Sequence, residues 1–386
     1  MWFFVRKGLI GLMLLMVCCI EPVEIKSVTY DKVLIVEGYL TGEAKNHKIL
    51  LSNTSLINDR KVIVEEGASV TIQDNSGGIV TLSENEPGVY YTPIYAGAPG
   101  KSYQLFIQTR DGRKYTSAQV KFKNTPDIKN IYAEYFADRG YENNGVEIYL
   151  DTEDPSGLTR FYRWEFEETY EVQTPFPSNF VWIGGNNVIF RDQPVDHCWA
   201  TDTSENIVIA TTANLQSDKI TKHVLRFIPA TSHVLRIKYS LLVRQYALDE
   251  TSYIFWKMIH DVNETQGSLF DIQTGAVQGN IRSDTNPDEM VLGYFDAGVV
   301  AEKRVFFTPS DFTPSGYKVP KYLTVCAEYV PVDISINNIG EYMEKNHETM
   351  EISETTGAGA VTLHLLPKFC CNCTDKGTNV KPSFWK

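Results

Sequence analysis

The chain has 386 residues, 43% of them hydrophobic and 12% aromatic, and its 48 acidic against 36 basic side chains give a net charge of −12. That length suits two or three domains with real cores. A body this acidic argues against nucleic acid and against flat binding to anionic lipid, and otherwise serves solubility.

In chain order, the first feature is the stretch MWFFVRKG, whose charges are Arg6 and Lys7, followed by an uncharged run from Leu9 to Val17. A helix rising about 1.5 Å per residue needs about 20 apolar residues to cross a bilayer. The run is too short for that but fits the apolar region of a secretory signal. Cysteines close it, as in bacterial lipoproteins, where a cysteine thiol is acylated and becomes the new N-terminus. Cys18 has Leu15 three places before it but the bulky Val17 just before it; Cys19 has Met16 and then the small Cys18. Cys19 is the better acceptor, which makes residues 1–18 a lipoprotein signal peptide and 19–29 a lipid-anchored linker. A plain signal with a chance cysteine pair is the blander alternative. Several acyl chains would hold the body at a membrane without a spanning helix. Removing the signal makes the body more acidic by two charges, those of Arg6 and Lys7.

Residues 30–125 read as short strands forming an immunoglobulin-like or transthyretin-like β-sandwich. KVLIVEGYL and HKILLSNTS come first. ASVTIQDNSGGIVTLSE is a hairpin with Val70 and Ile72 on one face and Gly77–Gly78 at its turn; GVYYTP follows. KSYQLFIQTRDGRKYTSAQVKF is a second hairpin, with Tyr103, Leu105 and Ile107 alternating and Asp111–Gly112 as a strong turn signal. NTPDI, at 124–128, marks the linker to the next domain.

Residues 126–386 form a larger β-rich domain. RFYRWEFEETY alternates through Tyr162, Trp164 and Phe166, and VLRIKYSLLV through Leu235, Ile237, Tyr239, Leu241 and Val243, the pattern of a half-buried strand. A helix is predicted over 249–262, capped by Asp249, with Phe255, Ile259 and Val262 on one face. GAVQGNIRS and VLGYFDAGVVAEKRVFF return to strands, and NNIGEYMEKNHE, at 337–348, is a short second helix. The tail CCNCTDKGTNVKPSFWK lacks periodicity; its cysteines staple it, and Phe384 and Trp385 plug into the body.

Five cysteines remain beyond Cys18 and Cys19: Cys198, Cys326, Cys370, Cys371 and Cys373. In an exported chain they form disulfides or staples, and the odd number leaves one thiol over. Cys198 and Cys326 can pair with each other. Zinc is the competing use of CCNC, but a structural site wants two ligand pairs. Here a single C-x-x-C stands alone, with His364 on an apolar strand pattern.

Other chemistry is sparse. Asp151, Glu153 and Asp154 in DTEDPSG lack the spacing of a calcium loop and read as an acidic turn. No nucleophile elbow, P-loop or H-E-x-x-H occurs. Glu165, Glu167 and Glu168 beside Trp164 are the nearest suspects for paired carboxylates, although a solvated strand face explains them more simply. Trp182, in the Pro/Gly/Asn-rich stretch FPSNFVWIGGNN, reads as a loop aromatic that can contact sugar, peptide or a protein partner, and equally as core.

Several stretches together resemble the DUF4249 lipoproteins of Bacteroidetes: CIEP after the signal, VEGYLT, GASVTIQDNSG with LSENEPGVY, and GKSYQLFIQTRDGRKYTS. Further along come TSYIFWK, GSLFDIQTGAVQGNI, LGYFDAG with KRVFF, and GTNVKPSFW behind the cysteine cluster. CIEP begins at Cys19 and supports that lipid site. The resemblance implies a C-x-x-C pair, Cys370 with Cys373, leaving Cys371 as the odd thiol. It also implies an outer-membrane lipoprotein facing the cell exterior, encoded beside TonB-dependent transporters, with no established catalytic residues. The expectation is therefore a non-enzymatic, cofactor-free surface lipoprotein that acts as accessory or ligand-binding partner of such a transporter. A structural part of an outer-membrane assembly or secretion complex, or a glycan-active enzyme, are the alternatives.

Overall fold

The computed structural model describes residues 32–54, 63–137, 144–204, 206–265, 279–321, 326, 328–356 and 362–386. The expected signal peptide, Cys19 and the expected linker 19–29 lie outside the described residues. The architecture is mostly β, in several sheets with few helices.

The first unit is a sandwich. One sheet runs Leu34–Leu40, Lys48–Asn53, Val89–Tyr91 and Ser83–Glu86; the other is built on Ser69–Asp74, Ser102–Gln108 and Lys114–Ser117. Strand alternation places Leu34, Val36, Ile49 and Leu51 of the first sheet against Val70, Ile72, Leu105 and Ile107 of the second, all buried. The predicted hairpin turns are present, with Gly77 and Gly112 at positive φ.

The chain returns to this sandwich late. Val291–Ala297 lies parallel to Leu34–Leu40, and Ile281–Ser283 pairs with Lys114–Ser117. Gly293 makes the first pairing possible. Its φ is +98°, and a Cβ there would sit 1.9 Å from the Val36 carbonyl oxygen. NTPDI is correspondingly bonded into the body: Thr125 Oγ1 donates to the Val299 carbonyl and accepts from Ala247 N, and Gln245 Nε2 donates to the Pro126 carbonyl.

The second unit packs a three-stranded sheet (Ile128–Phe136, Gly145–Glu153, Lys219–Pro229) on a larger one ordered His197–Thr203, Phe161–Gln173, Tyr239–Leu248, Val300–Phe307. Tyr162, Trp164, Leu241 and Val243 fill the space between them. Tyr239–Leu248 is not the half-buried strand expected: nine of its ten residues are buried. It lies in the middle of its sheet with both faces covered. Leu235 falls before it, in a 3-10 turn that Ser232 caps by accepting from Val234 N. The helix after it spans Glu250–Thr265, and Asp249 caps it as expected, accepting from Ser252 N at 2.8 Å.

A third, smaller sheet joins Phe180–Trp182, Val188–Phe190, Met350–Thr356, Thr362–Pro367 and Val332–Ser335, covered by the helix Ile339–Asn346. The expected loop around Trp182 is thus a hairpin. Gly184 and Gly185, both at positive φ, make its turn, and the polar residues flanking them hid the strands.

The cysteines pair as Cys198–Cys373 and Cys326–Cys370. This corrects both the C-x-x-C pairing and the Cys198–Cys326 pairing. Cys370 lies in the helical turn Lys368–Cys371 and Cys373 beyond its end, so the two point to different partners. Cys371 is the free thiol, buried, with burial pushing its pKa up to about 12. Trp385 is buried edge-on against Phe306, and Phe384 lies under the Arg304 guanidinium, 3.6 Å from it, so the tail docks as expected.

Candidate functional site

The outer face of the first sandwich, the outer face of the larger second sheet and the helix Glu250–Thr265 come together. Between them lies a cavity of about 860 Å³. Strand periodicity supplies its walls: residues that alternate with core positions point into it. Leu34–Leu40 contributes Ile35, Glu37 and Tyr39, and Val291–Ala297 contributes Leu292, Tyr294 and Asp296. Opposite stand Arg163, Glu165, Arg244, Tyr246 and Glu302; the helix adds Phe255, Trp256 and Ile259.

One stack ties the three walls together. The Arg163 guanidinium lies between the rings of Tyr246 and Trp256, 4.3 and 4.2 Å from their centroids. Tyr39 meets Tyr246 edge-on, with centroids 5.0 Å apart. Arg163 Nη1 donates to Glu165, and the Tyr246 hydroxyl donates to the same carboxylate at 2.8 Å. Arg163 Nε and the Tyr39 hydroxyl are buried without a hydrogen-bond partner among the described residues, a cost the ring contacts must offset.

The charges are set by these neighbours. Burial pushes the Glu165 pKa up, but the Arg163 charge and the Tyr246 hydrogen bond outweigh it and hold the carboxyl below its usual value. Burial, reinforced by Glu165, raises the Tyr246 phenol. Asp296, almost fully buried, is raised by desolvation despite its ion pair with Lys123. It also accepts from Ser252 Oγ at 2.9 Å, which couples the first sandwich to the helix. Beyond Glu165, Arg244 sits opposite Glu165 on one side and Glu302 on the other, and donates to Glu302 at 2.9 Å.

Of the carboxylates singled out from sequence, the strand face is less solvated than expected. Glu165 lines the cavity. Glu167 is held by Arg304 at 3.1 Å and Arg244 at 3.7 Å. Glu168 faces the other way, into the core, where it accepts from the Tyr239 hydroxyl at 2.7 Å and from Arg226. These bonds satisfy a buried charge that would otherwise be expensive. Of the DTEDPSG acids expected in a turn, only Asp154 is in one, accepting from Ser156 N and Thr159 N; Asp151, which accepts from Lys222 N, and Glu153, which pairs with Lys129, lie on the strand Gly145–Glu153.

Trp182 does not line the cavity. It is half-buried in the third sheet's core, 5.7 Å from the His347 ring, with its indole N–H donating to the Gly185 carbonyl at 2.7 Å. The four bonded cysteines have their sulfurs committed to disulfides. Arg163, Tyr246, Trp256 and Tyr39 were not singled out from sequence. The available signal was the polar face of FYRWEFEE, where Arg163, Glu165 and Glu167 share one side of a strand.

A family model described as Domain of unknown function (DUF4249) matches residues 20–304. The chain belongs to the DUF4249 family. The matched stretch contains every cavity residue named above and ends within Val300–Phe307, so the cysteine tail of this DUF4249 protein lies beyond it. No curated protein matches the chain. Among solved structures it is similar to a DUF4785 family protein from Legionella pneumophila, with 11% identity over 55% of this chain and 51% of that one and a TM-score of 0.19. The adhesin InvE of Yersinia pseudotuberculosis shows 13% identity over 56% and 55%, with a TM-score of 0.15. The chain spans about half the length of each, and superpositions this poor carry no argument about fold or role.

Proposed function

We propose that this DUF4249 protein is a lipid-anchored, non-enzymatic binding protein of the outer-membrane surface that captures a ligand and passes it to a TonB-dependent transporter. Cys19 carries the anchor. The observation that supports the binding reading is the cavity: about 860 Å³, walled by three separate elements and held open by the Arg163–Tyr246–Trp256 stack. Its size lies within the roughly 300–1,000 Å³ of small-ligand sites. The charge pattern favours binding over hydrolysis. A glycosidase needs one carboxyl kept protonated near neutral pH as general acid. Glu165 is shifted the opposite way; Asp296 is raised by desolvation, but its oxygens are already taken by Lys123, Ser252 and its own neighbour's backbone N–H.

Deletion of the gene tests this reading. Uptake of one nutrient should fall while envelope integrity is unchanged, and wild-type protein should restore uptake where a Trp256→Ala variant does not. Envelope leakage without an uptake defect would instead point to a structural part of an assembly or secretion complex.

A further inference from the structure

The cavity's charges are already spoken for. Arg163 is bonded to Glu165, Arg244 to Glu302, and Lys45 to Glu43, while Asp296 is paired with Lys123. What remains on the lining is one side chain of each sign, Glu37 and Lys48. A ligand with one charge would find a single counterion, Lys48 or Glu37, and a polyanion or polycation would have to break internal pairs to find more. A wholly apolar ligand would strip water from Glu165, Arg244 and Glu302 and return no hydrogen bonds. Their side chains retain 41%, 30% and 44% exposure, and that exposure opens onto the cavity they line.

The side chains are also arranged for a particular shape. Across three adjacent strands, Glu165, Arg244 and Glu302 lie in register as an acceptor–donor–acceptor row. The rings of Tyr39, Tyr91, Phe255, Trp256 and Tyr294 line the same cavity. A flat heteroaromatic ligand would seek a slot between two rings, but the slot between Tyr246 and Trp256 is filled by Arg163.

A ligand that is uncharged, donates and accepts along its length, and carries apolar C–H faces for the rings meets all these conditions. We propose that the cavity binds a neutral oligosaccharide, with Glu165, Arg244 and Glu302 taking its hydroxyls and Trp256 packing on a sugar face. This rests on the cavity being a ligand site.

The test is calorimetric titration of the full lipid-bearing protein, held in a non-glycosidic detergent. Neutral hexasaccharides are the probes: maltohexaose, cellohexaose, xylohexaose and mannohexaose. Hexagalacturonate, a tryptic peptide mixture and free nucleosides serve as comparison. The expected result is saturable binding of at least one neutral glycan, with Trp256→Ala and Glu302→Gln each weakening it about tenfold or more. Thermal melts identify any variant that fails to fold; Glu302→Gln, at an exposed ion pair, keeps the test valid if Trp256→Ala does not survive. Binding confined to hexagalacturonate, peptide or nucleoside, and lost in the same variants, would overturn the neutral-glycan assignment and leave the cavity as a ligand site. Binding of no probe, or glycan binding indifferent to both variants, would overturn the assignment, and the latter would move the site elsewhere.

Discussion

The Arg163 stack can be broken with a single substitution, Arg163→Met, which keeps most of the stem's volume and removes the guanidinium. Three effects compete. Losing a desolvated cation between two rings costs about 2 kcal/mol, since Arg163 is buried and both centroids lie within 4.3 Å. Losing the charge-assisted hydrogen bond to Glu165 costs about 1.5–3 kcal/mol. That figure falls at the low end here because Glu165 keeps the Tyr246 hydroxyl and is 41% exposed, so water screens and solvates it. Against these, the variant no longer buries the orphaned Arg163 Nε, which returns about 1–2 kcal/mol. The net expectation is a loss of about 2 kcal/mol. Chemical denaturation of wild type, Arg163→Met, Trp256→Ala and the double variant, followed by tryptophan fluorescence, measures it. The cycle should give a coupling of about 1 kcal/mol or more between the two positions. A loss below about 0.5 kcal/mol with strictly additive variants would refute the stack as the element joining strand and helix.

Four further expectations follow from this site, from the cysteines and from the sequence of the N-terminus. Because Glu165 titrates lower in the folded protein than its ordinary value of 4.5, its contribution is present above that pH and is lost as the pH falls through the lowered folded value. The stability difference between wild type and Glu165→Gln should therefore narrow on moving from pH 7 to pH 3 in denaturation curves. Non-reducing peptide mapping should recover Cys198 with Cys373 and Cys326 with Cys370; maleimide should label Cys371 only after unfolding, given its burial and a pKa of about 12. Replacing Cys326 and Cys370 together should cost up to about 4 kcal/mol on chain-entropy grounds, given their sequence separation of 44. Metabolic labelling with an alkyne fatty acid should mark wild type and Cys18→Ala, and fail on Cys19→Ala.

Much of the fold was legible because it rests on local chemistry. Alternation in KSYQLFIQ and the Asp111–Gly112 turn specify a hairpin without outside help, and Asp249 before an apolar helical face specifies a capped helix. What the sequence did not show depends on contacts between distant segments. The parallel pairing of Val291–Ala297 with Leu34–Leu40 leaves only Gly293 as a trace, and a glycine inside a strand has several meanings. The near-complete burial of Tyr239–Leu248 arises from neighbours on both faces, which its own alternation cannot report. Cysteine spacing likewise does not determine connectivity: adjacent Cys370 and Cys371 end in different states because the helical turn sends their side chains different ways. The candidate site was half visible. Glu165 stood out as an acid beside Trp164, but the pairing that makes it part of a cavity needs Tyr246 from the next strand and Trp256 from the helix.

The measurement that bears most directly on the account is native mass spectrometry of the tagged protein released gently from the envelope of its own cells. The account predicts a near one-to-one complex with a TonB-dependent transporter. Recovery of the protein alone, or in company with envelope-assembly or secretion components, would contradict it.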